Sequence, residues 1–88
     1  MKKPNKKAVA LEYKKDLMKS PRVLAKGVNS YADQIVAVAS KKSIPVITNA
    51  ILAENLTQLE LEEEIPEELF LSVATVLSWA FWLKGKMP

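Results

Sequence analysis

The side chains that most often carry out catalysis are scarce in this chain of 88 residues. It contains no histidine and no cysteine, which excludes imidazole acid–base catalysis, thiolate nucleophiles and the usual zinc and haem ligands. The carboxylates of Glu62–Glu64, with Glu67, could hold a hard cation, but the regular ligand spacing of a calcium loop is absent. We therefore expect no metal, no cofactor and no enzyme activity.

Basic charge is the second feature that could bind a partner. Residues 1–27 hold nine basic and two acidic side chains, whereas residues 28–83 hold two basic and eight acidic ones. A basic segment attracts anionic lipid or nucleic acid, but Tyr13 is its one aromatic residue, so we expect no specific nucleic acid and at most peripheral contact with a membrane. A basic surface module is thus the alternative function, and its side chains would be Lys2, Lys3, Lys6, Lys7, Lys14, Lys15, Lys19, Arg22 and Lys26.

Short strands are predicted in the first half of the chain. The unbroken apolar run Ala8–Leu11, within Lys6–Tyr13, is typical of a strand buried on both faces. Pro21 opens a second strand, in which valine and alanine alternate with longer side chains until Gly27. Ile44–Thr48 predicts a third, brief strand.

Two helices are predicted around that third strand. The first begins near Ser30, whose spacing to Asp33 resembles a capping box, and ends near Lys42. Asn49 is suited to cap a second, short helix that extends to about Leu59.

The last helix has the clearest pattern. Pro66 stands at its first position, Lys84 and Gly85 end it, and its residues are apolar nearly all round. Its apolar stretch from Leu69 to Leu83 is 15 residues long, and a membrane span needs about 20. We therefore favour a buried helix over a tail anchor, and we expect burial of its tryptophans to anchor the fold.

These elements define a fold class. The order strand-strand-helix-strand-helix-helix predicts an α+β (α/β-like) domain, with a small mixed sheet of about three strands packed by three helices. We expect one domain over residues 1–88, with a flexible basic arm at 1–6 and a tail at 84–88. The edges of such a narrow sheet offer unpaired backbone groups to a partner strand.

Four segments of the sequence share an order and a spacing with a known family. The segments are KAVALEY (residues 7–13), SPRVLAKG (20–27), IPV (44–46) and EEIPEELFLSVATVLSWAFWL (63–83). In order and spacing they resemble the cytoplasmic C-terminal domain of the FlhB/YscU family, the membrane-embedded switch proteins of flagellar and virulence type III export. The likeness covers residues 4–83, and it suggests a free-standing paralogue that lacks the transmembrane part.

One departure from the family concerns its self-cleavage. Family members carry Asn-Pro-Thr-His before the first of these segments, where the asparagine amide attacks its own carbonyl carbon and the chain breaks before the proline. The matching positions here are Lys3, Pro4, Asn5 and Lys6, so the proline alone is retained. Lysine has no amide that could form the cyclic imide, and we therefore predict no autocleavage.

The resemblance implies binding rather than catalysis. The family domain helps to receive export substrates and switches export from rod-and-hook components to filament components. The expected function is an adaptor module that stands in for the cleaved domain, in the cytoplasm at the inner face of the inner membrane. The implied partners are the export gate's cytoplasmic domain, export substrates with the hook-length-control protein, and a membrane-bound relative that could itself be truncated.

Two sets of residues are the candidate partner-binding sites. The apolar patch of the family corresponds here to Ser20, Pro21, Ala74 and Leu77, which could equally be ordinary core or rim residues. The edge of the first strand could accept, from another chain, the strand that precedes the cleavage site in the family. That edge would consist of Ala8, Val9, Ala10 and Leu11.

Overall fold

An antiparallel pair of strands and three helices make up the architecture of this protein. The computed structural model describes residues 5–14 and 16–86, with residues 84–86 described through their backbone alone. In chain order the elements are β1 (Lys7–Glu12), β2 (Arg22–Val28), α1 (Ser30–Lys41), α2 (Ala50–Leu56), a short 3-10 turn (Glu67–Leu69) and α3 (Phe70–Lys86).

The sheet contains two strands in the part of the chain that the structure describes. Lys7 pairs with Val28 at one end and Glu12 pairs with Arg22 at the other, with a register shift between Ala10 and Leu11. β2 alternates as predicted, from buried Val23 to exposed neighbours on either side. β1, however, is half-buried along its whole length rather than buried on both faces, because a two-stranded sheet is too narrow to enclose either of its strands.

The predicted third strand is wrong, and the sheet is antiparallel rather than mixed. Residues 44–48 form neither a strand nor a helix, and Ile44 and Val46 are 50% and 49% exposed. An apolar run needs a hydrogen-bonded neighbour to become a strand, and the ladder of this sheet joins β1 to β2 alone.

Of the side-chain caps predicted at the starts of α1 and α2, the structure contains the one at α2 and lacks the one at α1. Asn49 caps α2 as predicted, since its side-chain Oδ1 accepts a hydrogen bond from the Leu52 backbone N–H at 3.1 Å. The capping box at Ser30 and Asp33 is wrong. Instead Asn29 precedes α1 with a φ of 56° and no side-chain cap, and the Asp33 carboxylate lies 3.5 Å from Lys6 Nζ.

The last helix begins and ends later in the chain than predicted. Pro66 is extended and precedes the 3-10 turn, from which α3 continues to Lys86. α3 therefore passes through Gly85, where the sequence predicted its end; a glycine in a helix costs only about 1 kcal/mol relative to alanine.

A small apolar core joins the sheet to α2 and α3. Half-buried side chains from β1 and α3 pack around it, including Val9, Leu11, Val76 and Leu77. Val73 is the buried residue that α3 supplies, whereas Trp79 and Trp82 remain 55% and 50% exposed. The expectation that buried tryptophans anchor the fold is therefore wrong. The buried cluster consists of Val23, Leu52, Leu56, Ile65 and Val73.

A candidate docking groove between β2 and α3

An apolar groove of about 340 Å³ lies between the loop that leads into β2 and one face of α3. A volume of this size is at the lower end of the range for ligand pockets, which are mostly apolar clefts with a few polar groups. The structure brings Ser20, Pro21, Ala74 and Leu77 together here, although they were predicted from two distant segments. The lining residues are Tyr13, Lys19, Ser20, Pro21, Ile65, Phe70, Val73, Ala74, Leu77, Ser78 and Phe81.

The acidic segment before α3 fixes one wall of the groove. The Ile65 backbone N–H donates to the Pro21 carbonyl at 3.1 Å, and Val23 exchanges backbone hydrogen bonds with Glu63 and Glu62 at 3.1 and 2.7 Å. Arg22 and Glu64 form an isolated antiparallel bridge. The carboxylates of this segment are exposed. The backbone of the segment, however, hydrogen-bonds to Pro21 and Val23 and so holds the start of α3 beside Pro21.

The helical period of α3 supplies the other wall. Phe70, Ala74, Leu77 and Phe81 are spaced by four, three and four residues, which places them on one face of a helix. Ile65 and Val73 form the floor, since both are buried. Ala74 is an exposed residue within this wall, so the groove is open at a position that a partner side chain can reach.

The rim of the groove is polar. Tyr13, Lys19, Ser20 and Ser78 surround the apolar floor. Hydroxyl and ammonium groups at such a rim can hydrogen-bond the backbone of a bound chain, while the floor accepts its apolar side chains. The arrangement suits the binding of a segment that carries apolar side chains.

Sequence reasoning missed part of the lining. Tyr13, Ile65, Phe70 and Phe81 were not predicted as site residues, although all four line the groove. The signal for the two phenylalanines was present in the spacing that they share with Ala74 and Leu77. Tyr13 and Ile65 carried no such signal, because they reach the groove through the tertiary fold.

The second candidate site is the edge of β1. Ala8, Val9, Ala10 and Leu11 are half-buried and pair with β2 along one edge. The Asn29 N–H donates to the Lys6 carbonyl at 2.8 Å, and hydrogen-bonded pairs alternate along an antiparallel ladder. Lys6 is therefore at a hydrogen-bonded position, and every second residue after it, Ala8 and Ala10, also points its backbone groups at β2. Lys7 and Val9 point theirs away from β2.

The structure describes two of the four positions that match the family's cleavage motif, Asn5 and Lys6. Lys3 and Pro4 lie outside the described residues. The Lys6 backbone N–H donates to Asn29 Oδ1 at 3.2 Å, and Asn29 Nδ2 donates to Asn5 Oδ1 at 3.5 Å. Asn5 and Lys6 are thus tied to the turn between β2 and α1.

The basic side chains of residues 1–27 are largely engaged within the chain. Lys7 pairs with Glu54, and Arg22 pairs with Glu12 at 2.9 Å. Lys6 contacts Asp33, and Lys26 Nζ donates to the Thr57 and Leu59 carbonyls at 3.1 and 2.6 Å. Lys2, Lys3 and Lys15 lie outside the described residues. Among the six that are described, four therefore face acidic or carbonyl groups rather than forming one basic surface.

Neither a metal centre nor a membrane span is present in the part of the chain that the structure describes. No cluster of three or more carboxylates among those residues could hold a metal ion. None of the helices formed by residues 5–14 and 16–86 is long and apolar enough to cross a membrane.

The fold matches a class of solved structures. The chain superimposes on the C-terminal domain of a point-mutated EscU with a TM-score of 0.82 and 32% sequence identity, and the match covers 88% of this chain and 94% of that one. The architecture described above is therefore that of an export-protein C-terminal domain of the EscU type.

The sequence comparisons give the family. The profile of the FlhB HrpN YscU SpaS family matches residues 2–80, and this chain belongs to that family. It is 38% identical to YlqH of Bacillus subtilis (strain 168), over 91% of this chain and 86% of YlqH.

A longer relative defines how much of the family this chain represents. The chain is 33% identical to the flagellar biosynthetic protein FlhB of the same strain, over 96% of this chain and 24% of FlhB. It therefore spans about a quarter of that flagellar relative. The resemblance inferred from the four sequence segments is confirmed, and the chain is homologous to C-terminal domains of the type III export apparatus.

Proposed function

We propose that this protein is a non-catalytic adaptor of type III protein export, which receives export substrates in the groove between β2 and α3. The observation that carries the proposal is the convergence of Ser20, Pro21, Ala74 and Leu77 on one apolar groove. An apolar cleft with a polar rim binds a peptide segment by burying its apolar side chains and hydrogen-bonding its backbone. The proposed ligands are export substrates, which the resemblance implies for the family domain, and rod-and-hook components serve as the probe.

The test uses the exposed position in the groove wall. Ala74→Glu places a charge where an apolar partner side chain would lie, and we expect binding of purified rod-and-hook substrates to weaken at least about tenfold, since burial of an unpaired charge costs several kcal/mol. Thr75→Glu is the matched control, because Thr75 is the next residue of α3 and does not line the groove. Isothermal titration calorimetry measures both. Equal affinities for the two variants would overturn the proposal.

A second part of the proposal concerns the membrane-bound relative. The edge of β1 accepts a strand from that relative, which supplies the strand that precedes the cleavage site in the family. A peptide of that strand, added to the isotope-labelled chain, should shift the amides of Lys7 and Val9 more than those of Ala8 and Ala10. This pattern follows from the alternation of the ladder. Shifts confined to residues outside β1 would contradict this part.

The remaining elements of the proposal are the absence of self-cleavage and the location. Lys3 replaces the self-cyclising asparagine, so the purified chain should keep its intact mass after days at neutral pH. A product that begins at Pro4 would contradict this.

The adaptor works in the cytoplasm beside the export gate's cytoplasmic domain and the hook-length-control protein. The comparisons give no support to the alternative of a lipid- or nucleic-acid-binding basic N-terminal surface.

A further inference from the structure

The edge of β1 that faces away from β2 carries unpaired backbone groups. Of the backbone that the structure describes, β2 alone pairs with β1, so the outward N–H and C=O groups of Lys7, Val9 and Leu11 have no strand partner there. The register shift leaves its extra residue, Leu24, in β2, and β1 itself alternates regularly. A regular edge of this kind is a template for a further strand.

The charges at the two ends of β1 are symmetric about Val9. Lys6 lies three residues before it and Glu12 three residues after it. If two copies of β1 pair antiparallel about a two-fold axis at Val9, Lys6 of each copy stands directly opposite Glu12 of the other. Both side chains lie on the same face of the sheet, because their positions differ by an even number. Opposite charges that face each other across a ladder stabilise it.

The neighbouring registers lack this charge pairing. An axis at Ala8 would set Lys6 opposite Ala10, and an axis at Ala10 would set Glu12 opposite Ala8. The Lys6 ammonium is accessible, since 71% of its side chain is exposed and its distance to the Asp33 carboxylate is 3.5 Å. An exposed pair of this length contributes little to stability, so Lys6 can exchange Asp33 for the carboxylate of a second copy.

We propose that the free chain forms a two-fold homodimer through the edge of β1, with Val9 at the axis. The two sheets then become one sheet of four strands, in the order β2-β1-β1-β2. A sheet of two strands is marginal by itself, and the wider sheet satisfies the backbone groups that each edge leaves unpaired. The proposal does not rest on the groove. Because an edge pairs with one strand at a time, the second copy and the strand of the membrane-bound relative exclude each other.

Charge reversal at the two ends of β1 tests the register. Lys6→Glu sets a carboxylate opposite Glu12 at both pairs, and Glu12→Lys sets an ammonium opposite Lys6. Each variant alone should therefore dimerise at least about tenfold more weakly than the unchanged chain. An equimolar mixture of the two variants has opposite charges at both pairs and should recover the dimer. Sedimentation equilibrium measures all of these, and Lys19→Glu, which reverses a lysine outside β1 at the rim of the groove, should leave dimerisation unchanged.

A second measurement needs no variant. In the register about Val9, Ala8 of one copy and Ala10 of the other form a non-hydrogen-bonded pair, whose Cα atoms lie about 4.5 Å apart. A mixture of isotope-labelled and unlabelled chain should show a nuclear Overhauser effect between the Hα atoms of these two residues. A dimer whose contacts lie outside β1, or one that the mixture of variants does not restore, overturns the proposal. So does a chain that stays monomeric at millimolar concentration, although binding of the relative's strand by such a monomer would leave the earlier proposal intact.

Discussion

Two parts of the molecule are held by different kinds of interaction. One part is the sheet side, which consists of β1, β2, α1 and α2, and the other is α3. On the sheet side, side-chain contacts join Arg22 to Glu12, Lys7 to Glu54 and Lys26 to two carbonyls near the end of α2. Within α3, by contrast, the Thr75 hydroxyl donates to the Leu71 carbonyl of the same helix. α3 packs on the core through the apolar side chains of Val73, Val76 and Leu77.

This difference indicates which surface is available to partners. Directional polar contacts fix the sheet, α1 and α2 relative to one another, and they engage charged groups there. α3 keeps large apolar side chains exposed on two faces, one towards the groove and one carrying the tryptophans. Exposed apolar patches of this kind mark interaction sites, which supports the proposed groove, because α3 supplies its apolar wall.

The largest expected effect on stability comes from removing the apolar contact that holds α3 against the sheet side. Val73 is 1% exposed at the floor of the groove, and Val73→Ala should lower the free energy of unfolding by about 2 kcal/mol. The control Leu71→Ala, on the exposed face of the same helix, should change it by less than about 0.5 kcal/mol. Urea denaturation measures both. Equal losses would show that α3 is not held through Val73.

The next effect tests how closely the sheet side is packed. A Cβ atom on Gly27 would lie 2.7 Å from the Tyr31 Cβ and 2.8 Å from the Tyr31 carbonyl carbon. Because backbone cannot move as freely as a side-chain tip, Gly27→Ala should cost about 1.5 kcal/mol of unfolding free energy. Thermal unfolding followed by circular dichroism gives the value. A neutral or stabilising result would mean that β2 and α1 can separate easily.

A smaller effect concerns the polar cap of α2. Asn49→Ala removes the acceptor of the Leu52 N–H, and we expect a loss of about 1 kcal/mol. The same denaturation measurement applies, and Asn49→Asp is the control, since aspartate retains the acceptor. If the alanine and aspartate variants are equally stable, this hydrogen bond does not hold α2 in place.

The smallest effect is the cross-strand ion pair. Arg22 and Glu12 are register partners with a nitrogen–oxygen distance of 2.9 Å, and their side chains are partly exposed. A double-mutant cycle with alanine at both positions should give a coupling energy of about 0.5 kcal/mol that decreases as salt is added. A coupling above about 2 kcal/mol would show that polar contacts stabilise the sheet side more strongly than apolar packing holds α3.

Local signals in the sequence predicted most of the elements but not how they associate. The cap at Asn49 and the alternation of β2 depend on near neighbours, so they were readable. The third strand at residues 44–48 failed because pairing depends on a neighbour that the local pattern does not reveal. Ile65 in the floor of the groove and Tyr13 at its rim were missed for the same reason, since a backbone hydrogen bond to Pro21 brings Ile65 there.

The central claim is that the groove, rather than the rest of the surface, receives export substrates. Chemical-shift mapping with a purified rod-and-hook substrate tests it most directly, using amide and methyl signals assigned throughout the chain. We predict the largest changes at Ser20, Ala74 and the methyl groups of Leu77. Changes confined to residues outside the groove, or no changes at concentrations that saturate a full-length relative, would contradict the account.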